Sequence, residues 1–339
     1  MEKPKDRDLV ETVEGLIFCL VGYLHPPDRY TAYLKYTPSP DGKWSRGNTR
    51  YSRALPHYSV TTVENTYFLL KQRYPQYVYR DPVMNIEVSS VPRSSVKTYY
   101  SAKERLNDLF QEGPRDSLEE KLLDLVDWFV SETGLRRADF GVTGSILSGT
   151  HSVDFSDIDL TISGLTPSKL VRETVWRNRS PLGVITPFSE TQLNEWCRSR
   201  VGRFPLSYTD IRSIAERRWD YCYYDGIYVS LHPIHIDDEI LEDYGDNVYY
   251  PRGKVRGTAR ISDNAESMFL PVVYGIKNVQ GANSVTRLAS FEGMFTDIFR
   301  EGETVEFSGT LEEVSGLESY RRVIVGASGS DDSYIKLAG

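Results

Sequence analysis

The order of apolar and polar residues divides this chain into three stretches of different texture. Residues 9–24 (LVETVEGLIFCLVGYL) and 29–37 (RYTAYLKYT) are rich in β-branched and aromatic side chains, with His25-Pro26-Pro27-Asp28 between them. That pattern predicts a β-hairpin turning at the prolines. A polar loop follows, then a helix-like segment, VENTYFLLKQRY, and short segments broken by Pro75, Pro82 and Pro92. Residues 1–102 therefore read as an α+β unit. At Ser117-Leu118-Glu119-Glu120 a capping-box pattern opens a predicted helix. Leu118, Leu122, Leu125, Val126 and Phe129 fall on one face of it, and Gly134 marks its end. Short apolar strands around Phe140 and Ile158 come next, then predicted helices over 168–178, 190–200 and 209–219, and a strand over 226–232 that stops at Pro233. This alternation predicts an α/β core over residues 103–248. Beyond it, over 249–339, short apolar runs are separated by glycines and acidic turns, the pattern of a small β-barrel of OB type. The expected fold class is α+β and multidomain: a central α/β core, an N-terminal α+β domain and a C-terminal OB-like barrel.

Composition narrows the function classes. The chain has 339 residues, 40% of them apolar and 26% charged, and no apolar run reaches membrane-spanning length. The opening residues are charged and show no secretory pattern. Cys19, Cys197 and Cys222 are scattered, form no CxxC unit, and read as buried small residues of a protein from a reducing, cytoplasmic compartment. A net charge of −8 argues against a broad basic surface for duplex nucleic acid. Nine arginines between Arg172 and Arg218 nevertheless suggest a local basic groove. The 23 tyrosines read first as packing and second as stacking platforms for bases.

The chemistry concentrates in FGVTGSILSGTHSVDFSDIDLTI, residues 140–162. A strand runs into a Gly144-Ser145 turn; eleven residues later a second strand carries Asp157 and Asp159 around Ile158. Strand residues two apart share a face, so the two carboxylates project together. Side by side they repel each other and call for a cation. Hard oxygen ligands favour Mg²⁺ completed by substrate phosphates.

This arrangement resembles the signature of the polymerase β-type nucleotidyltransferase superfamily: a Gly-Ser turn, a gap of about this length, then two acids flanking an apolar residue. The whole chain looks like an archaeal group of predicted nucleotidyltransferases with extra domains at each end. The resemblance implies that Gly144 and Ser145 hold a nucleoside triphosphate. It implies that Asp157 and Asp159 are catalytic and bind Mg²⁺ or Mn²⁺, and that NMP passes to an acceptor hydroxyl with release of pyrophosphate. RNA is the favoured acceptor by analogy, since a barrel appended to such a core often grips single strands and arginines cluster between the two; a small molecule or a protein side chain is the next choice. The family's third acid, on a later strand, falls here at Ser230. His232 shares its face, whereas Asp225 and Asp237 face away, unless Pro233 shifts the register and lets Asp237 join the metal. The alternative reading is a catalytically degenerate module that binds nucleotide or RNA. His25, His57, His151 and His235 read as structural or surface residues, His151 being close enough in sequence to touch a phosphate. Neither a Walker A loop nor a G-x-S-x-G elbow is present.

Overall fold

The computed structural model describes residues 3–55, 60–317, 319–326 and 332–338. The chain is α+β and builds three separate sheets. His57 lies outside the described residues.

The first sheet contains β1 (Leu9–Thr12), β2 (Ile17–Leu20), β3 (Arg29–Pro38), β4 (Trp44–Arg46) and β5 (Thr49–Arg53). After α1 (Val60–Arg73) come β6 (Val78–Asp81), β7 (Ile86–Pro92) and β8 (Val96–Tyr100). The expected hairpin over residues 9–37 is instead a three-stranded meander. The run before His25 folds back on itself at Gly15, whose φ of +82° suits glycine, and Gly15 N–H donates to Thr12 O at 2.9 Å. β3 is long enough to pair with β2 and β5 along its later residues and with β7 along its first three.

The central unit begins with α2 (Ala102–Glu112) and α3 (Ser117–Thr133). The cap of α3 is Asp116, one residue earlier than the Ser117 capping box: its carboxylate accepts from Leu118 N at 2.9 Å and Glu119 N at 3.0 Å. Glu119 is buried and accepts from Arg105, which ties α2 to α3. Gly134 closes the helix in the left-handed conformation, as expected. Then follow β9 (Phe140–Val142), α4 (Gly144–Ser148), β10 (Ile158–Ser163), α5 (Leu165–Asn178), β11 (Ile185–Thr186), α6 (Glu190–Arg198), α7 (Tyr208–Arg217), β12 (Tyr221–Tyr224) and β13 (Ile227–Ile234). The sheet order is β11-β12-β13-β10-β9, with β10 and β13 parallel. β13 does not stop at Pro233. It runs on to Ile234, because β12 pairs only as far as Ser230 and a missing N–H beyond that point breaks no bond to it. The apolar face of α3, residues 118, 122, 125, 126 and 129, packs with β9, β10 and β13 in one core.

The last sheet contains β14 (Asn247–Asp263), β15 (Val272–Gln280), β16 (Val285–Ser290), β17 (Thr304–Gly316), β18 (Tyr320–Val325) and β19 (Tyr334–Leu337). Pairing runs β14-β15-β16-β18-β17, and the long β14 and β17 also pair with each other, so five strands close into a ring with β19 on its edge. Trp196, Cys197, Leu206, Ile211 and Ile214, from α6, α7 and the link between them, pack into the core of this ring, with Tyr221 of β12 against the same cluster. The barrel is thereby joined to the central unit through shared apolar packing.

Candidate functional site

The site is set by the register of two strands. In the parallel β10–β13 pair, Asp159 lies beside Ser230. Ser230 Oγ–H donates to Asp159 Oδ1, and Ser230 Oγ is also 2.9 Å from His232 Nε2. His232 Nε2 is itself 3.6 Å from Asp159 Oδ1. On the other side, Thr143 N–H donates to Asp159 O at 2.9 Å. Gly144 sits directly against the carboxylate. Its φ is +70°, and a Cβ there would lie 2.0 Å from Asp159 Oδ2, so only glycine allows this approach.

Asp157 and Asp159 both line a cavity of about 590 Å³, within the size range of small-molecule sites. Burial and the neighbouring Asp159 charge push the Asp157 carboxyl up to about 6. Burial opposes ionisation of Asp159 as well. The His232 and Ser230 contacts and the Lys35 charge outweigh it and hold that carboxyl below the ordinary range. Burial and the Arg7 charge push the His232 pKa down, so its ring is neutral near pH 7. The donor set is one ionised carboxylate beside a second that ionises reluctantly, because of its burial and then because of the first. That is the electrostatic state a divalent cation relieves, and Asp157 and Asp159 are the residues that could hold one. Among the described residues, no group of three or more His, Cys, Asp and Glu side chains is gathered as a full metal shell. Phosphate oxygens and water would have to complete it.

The remaining expected site residues fall as follows. Ser145 is buried at 3% exposure in the first turn of α4, and it is Thr143, not Gly144 or Ser145, that lines the cavity. Asp237 does not join the acid pair. Its carboxylate accepts from Lys3 N at 3.3 Å and is paired with Lys5, outside the cavity lining. Asp225 is a turn residue paired with Lys121. His151 is 2.9 Å from Asp116 and so bridges the loop after α4 to the cap of α3. His25 is buried, which pushes its pKa down to about 4, and accepts from Thr31 N. His235 lies between Glu239 and Glu266 and stacks on Phe269. All three cysteines are free and buried.

The arginine-rich stretch is no open groove. Arg172 pairs with Asp297, Arg212 with Glu190 and Glu216, and Arg217 with Glu303. Arg218 pairs with Asp220 and donates to the carbonyls of Gly293 and Met294. These four of the nine arginines fasten helices to one another or to the barrel. Arg200, Arg203 and Arg218 reach the cavity wall.

What sequence reasoning missed is the contribution of the N-terminal sheet. Arg7, Lys35 and Arg53 line the same cavity as the acid pair. Lys35 is only 8% exposed, within the buried middle of β3. A lysine interrupting RYTAYLKYT was the available signal, since lysine is seldom buried without an electrostatic reason. The sheet is held in place by Thr143 Oγ–H donating to Arg7 O at 2.6 Å and by Arg46 donating to Ser148 O at 3.1 Å. The barrel adds Glu312 and Arg322, paired at 2.8 Å, to the wall.

Among the described residues, no helix is long and apolar enough to cross a membrane. No family model matches the chain, and no solved structure matches it. It is similar to an uncharacterized protein of the archaeon Methanocaldococcus jannaschii, 28% identical over 342 aligned positions that cover 99% of each chain.

Proposed function

We propose that this protein is a Mg²⁺-dependent nucleotidyltransferase with a polymerase β-type core and an OB-type barrel, moving NMP from a nucleoside triphosphate to an acceptor oxygen and releasing pyrophosphate. The observation that carries the reading is Gly144 pressed against Asp159, with Asp157 alongside, in a cavity whose walls also hold Arg7, Lys35 and Arg53. Carboxylates and cations so close together suit a substrate that is itself a metal-bound polyanion. The ring of five strands and the parallel pair holding Asp159 and Ser230 are compatible with the two folds named.

In this reading Asp157 and Asp159 hold Mg²⁺, which supplies charge neutralisation on the phosphates. The chain's own residues do the rest. Lys35 and Arg53 take the outer phosphates. Gly144 leaves the space that keeps the Asp159 carboxylate in place. Ser230 and His232 orient Asp159 and keep it ionised. Positioning and electrostatics then account for the rate.

The test uses α-labelled NTPs with Mg²⁺ or Mn²⁺. Label passing to an acceptor in the parent protein, and lost in both Asp157→Asn and Asp159→Asn, supports transfer. A second reading, nucleotide binding without turnover, is favoured by the serine at position 230 where the resembled family has a carboxylate. It predicts Mg²⁺-dependent nucleotide binding with no label transferred.

A further inference from the structure

The wall beside the acid pair is built from hydrogen-bond donors. Tyr228 and Ser230 are two residues apart on β13 and both line the cavity, one pleat, about 7 Å, apart. Trp196, Arg200, Arg218 and Tyr221 line the same cavity, the Tyr221 ring centre lying 5.8 Å from that of Tyr228. The Arg200 guanidinium lies 3.6 Å from the centre of the Trp196 ring, and that of Arg218 lies 4.3 Å from the centre of the Tyr221 ring. Arg200 donates to Trp196 O and Ser199 Oγ but forms no ion pair among the described residues. Burial, with Arg218 and Arg203 nearby, pushes its pKa down to about 10. Arg218 is already paired with Asp220, whereas Arg200 is half-buried, and a partly desolvated cation is costly unless an acceptor reaches it. This wall therefore calls for an anion.

The chemistry of position 230 points the same way. An acceptor hydroxyl must lose its proton to attack phosphorus, and a carboxylate at that position would help by holding a second metal ion. Ser230 brings no charge, its proton is committed to Asp159, and its oxygen is in contact with His232 Nε2. An acceptor that arrives as an oxyanion has no proton to lose.

We propose, resting on the nucleotidyltransferase reading, that the acceptor is a small anionic molecule, a phosphomonoester or a carboxylate, held by Arg200 and its neighbours rather than an RNA hydroxyl. One oxygen of the anion attacks the α-phosphorus. The new O–P bond forms as the bond from the α-phosphorus to the α,β-bridging oxygen breaks. The electron pair leaves on pyrophosphate, no proton is transferred, and the product is a mixed anhydride of NMP and the acceptor. The pairing of Arg172, Arg212 and Arg217 with acids agrees with this, since it leaves those arginines engaged within the protein.

The experiment is calorimetry on the full chain saturated with Mg²⁺ and α,β-methylene ATP, titrated with inorganic phosphate, acetate, glycerol and a short oligoadenylate in turn. Phosphate or acetate binds the loaded protein, and which of them binds separates the phosphomonoester from the carboxylate. Arg200→Ala weakens that binding about tenfold, or ~1.4 kcal/mol. Arg200→Lys, which keeps the charge, restores most of it, and Arg203→Ala at an exposed wall position provides a second variant. Glycerol and oligoadenylate do not bind. Binding of the oligoadenylate, or anion binding that is absent or indifferent to both arginines, overturns the proposal while leaving the nucleotide site standing. Failure of α,β-methylene ATP itself to bind removes the nucleotidyltransferase reading, and this inference with it.

Discussion

Two residues make the sharpest demands at the smallest scale. Gly144 combines a left-handed backbone with a methyl-sized space filled by the Asp159 carboxylate. Gly144→Ala should destabilise the protein by about 1–3 kcal/mol in urea denaturation through backbone strain. By displacing the carboxylate it should also lower label transfer about a hundredfold. Asp157 contributes to the pH dependence of stability. Its folded pKa of about 6 lies above the unfolded value of ~3.9. Between those values the folded state keeps a proton that the unfolded state has lost. Its contribution to stability is therefore full below about pH 4 and is lost as pH rises through about 6. Without divalent cation, Asp157→Asn should melt higher than the parent at pH 7 and about the same at pH 4. Mg²⁺ should raise the parent's melting temperature at pH 7 and leave the variant's unchanged. A variant that still responds to Mg²⁺ would exclude Asp157 as a ligand.

At the scale of elements, the helices and strands were more legible than their ends and partners. The apolar face of α3 and its glycine stop follow directly from sequence periodicity. The cap shifted from Ser117 to Asp116 because the aspartate bonds two helix N–H groups, and its carboxylate also meets His151, which is distant in sequence. The turn at Gly15 does leave a polar trace, Glu14 followed by Gly15, but it is short enough for residues 9–24 to read as one β-rich run. Which surface α6 and α7 cover could not be read at all, since an apolar stripe predicts burial without naming the partner. The junction with the barrel turns on Asp297, which is fully buried and accepts from Arg172, Arg300 and Trp219 Nε1. Asp297→Ala strands two cations and an indole N–H. It should cost about 3–5 kcal/mol, checked by urea denaturation. A loss below about 1 kcal/mol would mean that water replaces the carboxylate.

For the whole molecule, the acid motif was legible and the rest of the site was not. Asp157, Asp159 and Gly144 stand within about fifteen residues of one another in sequence, whereas Lys35, Arg53 and Arg200 are brought to them by contacts between separate sheets, and no local pattern encodes such a meeting. One consequence is that ligand in the cavity should protect residues from all three sheets. Bound Mg²⁺ and α,β-methylene ATP should slow amide exchange in residues 33–36 and 310–312 as well as 157–160. Protection confined to the central segment would deny the flanking sheets a part in the site.

The central claim is that the Asp157–Asp159 pair holds a divalent cation on which a nucleoside triphosphate is bound, with Lys35 at its phosphates. Calorimetry of α,β-methylene ATP against the parent, Asp159→Asn and Lys35→Ala, with Mg²⁺ and with EDTA, tests it most directly. The parent should bind only with Mg²⁺, Asp159→Asn not at all, and Lys35→Ala about tenfold more weakly, ~1.4 kcal/mol. Equal affinity in EDTA, or affinity untouched by Asp159→Asn, would contradict it.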